Sequence, residues 1–137
     1  MANALYGLGR EKFLTGNISW STDDIKCCLV DSADYTASID THEYLSDVTS
    51  AGIIATSGNL ASKTVTLGVA DAADVTFTSV SSTNDQAEVL VIYKDTGSSS
   101  TSPLIAYFDT VTGLPITPND SDITVQWSTG ANRIFKL

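Results

Sequence analysis

One histidine, His42, and two adjacent cysteines, Cys27 and Cys28, are the chain's scarce reactive side chains. A zinc-binding H-E-x-x-H helix built on His42 would need a second histidine at position 46, where Ser46 stands. No G-x-S-x-G elbow occurs, so a serine nucleophile with His42 as its base has no motif behind it. His42 is therefore expected as a solvent-facing or capping residue. Neighbouring side chains in a strand point to opposite faces, so Cys27 and Cys28 cannot easily share a disulfide or a metal. They read as one buried and one semi-exposed thiol from a reducing compartment.

The remaining motifs are weaker. Asp71 with Asp74, and Asp120 with Asp122, could offer oxygens to calcium, but neither pair follows the twelve-residue loop with its glycine and closing glutamate. Turn-forming aspartates, whose carboxylates bond their own backbone, explain both. Gly7 and Gly9 would open a phosphate loop only if a third glycine stood where Lys12 is. Asn17-Ile-Ser19 and Asn119-Asp-Ser121 match the glycosylation tripeptide, and without an N-terminal signal pattern they read as chance. The sequence thus names no catalytic, cofactor or metal residue, and an enzyme is not expected.

What must position these residues is mostly strand. Period-two alternation runs through residues 25–30, 64–69, 75–78 and 123–127, and residues 133–137 read as a closing strand; residues 88–93 are almost wholly apolar and β-branched, which predicts a central strand buried on both faces. With residues 104–108, about seven strands emerge. Ser/Thr/Gly-rich residues 95–102, Gly113 with Pro115, and residues 128–132 supply the turns. The expected fold is mainly β, a single-domain antiparallel β-sandwich or small barrel over residues 1–137. Two helices join it. Residues 2–16 read as a short amphipathic helix closing on Gly16-Asn17, inside an N-terminal arm of residues 1–20 ahead of a β core at 25–137. A second short helix near 41–46 is expected, opened by Asp40 with Glu43 as a capping box.

Length and charge set the outer bounds. At 137 residues, 42% hydrophobic and 17% charged, the chain suits one folded domain. Seven basic residues against 16 acidic ones give a net charge of −9, which repels nucleic acid and anionic lipid. No run approaches the roughly 18 apolar residues that would suggest a membrane helix, and residues 1–10 lack an export signal's pattern, so a product not exported by that route is expected. Trp20, Trp127, Tyr35, Tyr44, Tyr93 and Tyr107 could line a sugar platform. Trp127, in register with Ile123 and Val125, reads as core, whereas Trp20 lies outside every strand pattern and reads as a surface or interface aromatic.

Taken together, Gly9-Arg-Glu-Lys-Phe-Leu-Thr-Gly16, Asp24-Ile-Lys26 with Leu29-Val-Asp31, Asp34-Tyr35, His42-Glu-Tyr-Leu-Ser-Asp47, Tyr93-Lys-Asp-Thr-Gly97, Leu104-Ile-Ala-Tyr107 and Gly130-Ala-Asn-Arg-Ile-Phe-Lys-Leu137 form a set. From end to end this set resembles small virion structural proteins of tailed bacteriophages, either capsid decoration (cement) proteins or minor tail components. Cys27-Cys28 departs from it, where β-branched residues would be expected. The resemblance implies a virion location after assembly in the host cytoplasm, no cofactor, and two partners: the major capsid protein lattice and copies of the chain itself, as a dimer or trimer. A tail or fibre component, or a receptor- or carbohydrate-binding module, is the alternative. Leu5, Leu8, Phe13 and Leu14 of the arm, with Trp20, are the expected contact residues, because an apolar stripe lies there on a helix weakened by Gly7 and Gly9.

Overall fold

The computed structural model describes residues 3–137. In chain order its elements are β1 (Ala4–Leu5), α1 (Gly7–Leu14), β2 (Ile25–Val30), β3 (Ile53–Thr56), β4 (Thr64–Thr66), β5 (Val69–Asp71), β6 (Val75–Phe77), β7 (Val89–Lys94), β8 (Leu104–Phe108), β9 (Ile123–Val125) and β10 (Phe135–Lys136). Two single 3₁₀ turns, Leu45–Asp47 and Ser50–Gly52, precede β3. The fold is mainly β, as the alternation predicts. Its strands form three antiparallel sheets with the orders β1-β8-β7-β2-β3, β10-β5-β4 and β6-β9, and the sheets do not close into a barrel.

The five-stranded sheet divides two cores. Cys27, Leu29, Leu90, Ile92 and Ile105 point to one side, where Ala70, Phe77, Val125 and Phe135 of the two smaller sheets cover them. Cys28, Val30, Val89, Val91 and Leu104 point to the other, beneath Tyr6, Tyr35, Ala37 and Val48. Register enforces this division, because Cys27 lies opposite Ile92 and Cys28 opposite Val91. Both faces of β2 and β7 are therefore dry, which accounts for residues 88–93 reading as a continuous apolar run.

Several expectations change. Ten strands occur among the described residues in place of about seven. Residues 64–69, expected as one strand, are a hairpin: Leu67 (φ 50°) and Gly68 (φ 80°) make a two-residue turn with both residues left-handed. The expected helix at 2–16 is shorter over the described residues, residue 2 lying outside them, and residues 4–5 pair with Tyr107 and Ala106 of β8 as an edge strand, so this segment is built into the sheet. Near 41–46 only the 3₁₀ turn at Leu45–Asp47 forms. Its cap is Asp47, whose carboxylate accepts the Glu43 and Tyr44 N–H groups at 2.8 and 3.0 Å, in place of the expected Asp40 and Glu43 box. Cys28 is as buried as Cys27, since both faces of β2 are covered at these positions. Burial pushes the Cys27 thiol up to about 12, tempered by the Ser57 hydroxyl beside it, and raises the Cys28 thiol as well.

Candidate docking face

The β4–β5 hairpin overhangs the core, and its position follows from the residues around it. Phe135 of β10 lies opposite Ala70 of β5, and the Trp20 indole meets the Phe135 ring edge-on at 5.2 Å. Trp20 Nε1–H donates to the Asp71 carbonyl at 3.1 Å, which ties the segment after α1 to the hairpin. Trp20 is only 4% exposed, so the expectation of a surface aromatic fails: its partners come from residues far along the chain, which no local pattern reveals. Phe13 of α1 packs on the same ring at 5.9 Å. Between α1 and the hairpin lies an apolar groove of about 280 Å³ lined by Phe13, Trp20, Val65, Ala70, Phe135 and Leu137.

Solvent-facing apolar side chains gather here. Among the described residues the large ones are Leu14 (82% exposed), Val65, Leu67 (91%) and Leu137. Leu14 follows Phe13 in the chain, Val65 and Leu137 line the groove, and the Leu137 N–H donates to the Gly68 carbonyl beside Leu67 at 2.9 Å. Lys63, Arg133 and Lys136 stand around the hairpin, three of the seven basic residues of an acidic chain. Lys63 Nζ donates to the Asp23 carbonyl, and Arg133 Nε lies 3.9 Å from Asp71. The result is an apolar rim with a locally basic border.

Of the expected contact residues, Phe13, Leu14 and Trp20 therefore sit at or beside one groove. Leu5 is half-buried in β1 opposite Ala106, and Leu8 is half-buried on α1. Val65, Leu67, Phe135 and Leu137 were not among the expected residues. Only Gly68, closing an alternating run, hinted at a turn that would leave Leu67 outside.

Other groups have structural duties. The Tyr6 hydroxyl, fully buried, lies 2.8 Å from that of Tyr35, which in turn lies 2.9 Å from His42 Nδ1. Ser38 N–H also approaches Nδ1, at 3.2 Å. His42 is half-buried and stacked on Tyr35, with Nδ1 bonded to the turn it closes. Burial raises the Tyr6 hydroxyl, and its bond to Tyr35 adds to this; Tyr35 is held at about 12, again mainly by burial. The Asp pairs do not bond their own turns as expected: Asp74 accepts the N–H of the distant Trp127, Asp122 that of Ser79 and Asp120 that of Ser82, while Asp71 ends β5 and faces Arg133. Asp31 and Asp34, from one turn, and the distant Asp85 bring carboxylate oxygens within 4.8 Å of one another and are residues whose chemistry suits a hard cation. Asp31 spends one oxygen on the Ala33 N–H at 2.8 Å.

A wider cleft of about 480 Å³ has polar walls, with Asn3, Thr110, Thr112, Gln126 and Ser128 beside Trp127. Trp127 is buried, as expected, and its Nε1–H is committed to the Ala73 carbonyl at 3.0 Å. Trp20, Tyr35, Tyr93 and Tyr107 are buried too, so the aromatic residues weighed for a sugar platform mostly face inward. Against known proteins, the chain matches no protein-family model and no curated protein.

Proposed function

We propose that the chain is a bacteriophage virion structural protein, a decoration protein that binds the outer capsid lattice through the β4–β5 hairpin and its groove. In this reading the three sheets make a β-sandwich, a rigid block that presents one apolar rim. Leu67 carries the argument. A left-handed backbone costs a non-glycine residue roughly 1–2 kcal/mol, and Leu67 also holds a large apolar side chain almost wholly in water. The two-residue turn requires that conformation, but a leucine suits it poorly and its exposed side chain does nothing for the isolated molecule; the choice of leucine is accounted for if the side chain enters a partner's pocket. A lattice repeats its sites many times, so a small contact of this kind is multiplied by avidity wherever copies associate. Binding to the assembled lattice then stabilises that state by mass action.

The experiment mixes purified protein with undecorated capsids and measures occupancy. Leu67→Asn, which suits the turn, should fold normally and lose occupancy. Full occupancy by that variant would refute the hairpin as the contact.

The polar cleft beside Gln126 favours a second reading, a carbohydrate-binding module of a tail or fibre, since amide and hydroxyl groups suit sugar hydroxyls. Glycan arrays comparing the native protein with Gln126→Ala test it, and labelling intact particles shows whether the protein lies on head or tail.

A further inference from the structure

We infer that β3 is a self-association edge, on which a second copy of this chain adds its own β3 antiparallel to extend the central sheet. β3 ends the five-stranded sheet, and no hydrogen bond joins its outer side to any other described residue. Ser57 N–H donates inward to the Cys27 carbonyl at 2.8 Å, so by alternation the Thr56 N–H and carbonyl point outward. Ile53, Ile54 and Ala55 are half-buried, Ile53 against one core and Ile54 and Ala55 against the other, so apolar surface lies above and below the open backbone.

Proteins usually blunt such an edge with lysine, proline or a very short strand. The other edges here follow that rule. β1 has two residues, β10 carries Lys136, β4 is preceded by Lys63, and Asp74 and Asp122 precede β6 and β9. β3 is short at four residues but carries no lysine, proline or other charge, and its register slips only at the Ile53 end.

Charge identifies the occupant. The chain carries −9 overall, yet residues 48–62 contain no charged side chain, so two acidic copies meet there with least repulsion. The direction follows as well. Asp31 and Asp34 sit at the Gly52 end of β3: Asp31 N–H donates to the Gly52 carbonyl at 2.8 Å, and Asp34 packs on Gly52. A parallel pair would stack these carboxylates, whereas an antiparallel pair separates them by the strand length, roughly 14 Å, beyond the Debye length at physiological salt. A strand this short gives a small contact and a concentration-dependent dimer. The inference rests on the sheet edge alone and holds whether or not the virion reading does.

Sedimentation velocity from micromolar to millimolar protein tests it, with Thr56→Asp and Thr56→Lys as variants at an exposed position. Circular dichroism and thermal melts establish that both fold. The native chain should show a reversible monomer–dimer equilibrium. Thr56→Asp sets a carboxylate against the partner copy's acidic pair and should raise the dimer midpoint about tenfold or more, about 1.4 kcal/mol. Thr56→Lys sets an ammonium there and should keep the dimer, with affinity falling as salt rises. A native chain that stays monomeric throughout overturns the inference, as does a Thr56→Asp dimer as tight as the native one. Equal weakening by the two variants overturns the antiparallel register.

Discussion

The Tyr35 hydroxyl lies 2.9 Å from His42 Nδ1 and forms the middle of a three-residue chain whose inner end is the Tyr6 hydroxyl. A main-chain N–H can only donate, so the approach of Ser38 N–H makes Nδ1 the acceptor. Tyr35 then donates to Nδ1, sharing its lone pair with the Ser38 N–H, and Tyr6 donates to Tyr35, so both tyrosine hydroxyls have an acceptor. Tyr35→Phe strands the Tyr6 hydroxyl in a dry core and should cost about 1–3 kcal/mol in urea denaturation. Tyr6→Phe leaves Tyr35 its bond to His42 and should cost less. The opposite order would contradict this direction of donation.

Alkaline pH should destabilise the fold. Burial raises the Cys27 thiol from 9.0 to about 12 and the Tyr35 hydroxyl from 10.0 to about 12, and it raises Tyr6, Tyr93 and Cys28 as well. As pH climbs past 9, the unfolded chain releases these protons first and binds fewer than the folded one, so stability falls with pH. This contribution is complete below that point and is lost as pH rises through about 12. Melting temperatures measured from neutral pH upward should hold level with respect to these groups and then drop steeply; a level profile through the whole alkaline range would contradict the burial of these groups.

Gly9→Ala should be among the most damaging single changes. A Cβ there would lie 2.3 Å from the Leu104 carbonyl oxygen, so α1 could no longer rest on β8. A loss of more than about 2 kcal/mol is expected. Gly58→Ala meets nothing within 4 Å and serves as the control, with an expected change of about 0.5 kcal/mol or less in either direction. Comparable effects of the two changes would mean that α1 tolerates displacement.

Leu67→Asn separates stability from binding. Asn followed by Gly68 suits a turn with two left-handed residues, so chemical denaturation should show a gain of about 1 kcal/mol while capsid occupancy falls. A variant that is less stable than the native chain would remove strain at Leu67 as an argument for function.

The strands with strong local patterns were legible. Residues 88–93 and 104–108 announce themselves by composition, and Trp127 by its spacing from Ile123 and Val125. What escaped notice depends on distant partners. β1 is two residues long and exists because Tyr107 and Ala106 lie opposite it. β3 follows two 3₁₀ turns and has only four residues, too few for a period to stand out. Gly9 weakens a helix in isolation, which made the N-terminal helix read as an arm for contacts elsewhere, yet close approach to β8 is what requires a glycine there. Trp20 looked external because its ring completes a contact with Phe135, near the other end of the chain. The apolar groove was half legible for the same reason: Phe13, Leu14 and Trp20 come from one stretch, whereas Val65, Leu67 and Leu137 join them only through the hairpin.

The central sheet places Cys27 and Cys28 on opposite sides of one strand, each sealed in a different core. The molecule therefore carries two native reporters a single residue apart. With one thiol removed at a time, the labelling rate of the other gives the opening frequency of its own side, so the order in which the two halves loosen becomes a measurable sequence of events.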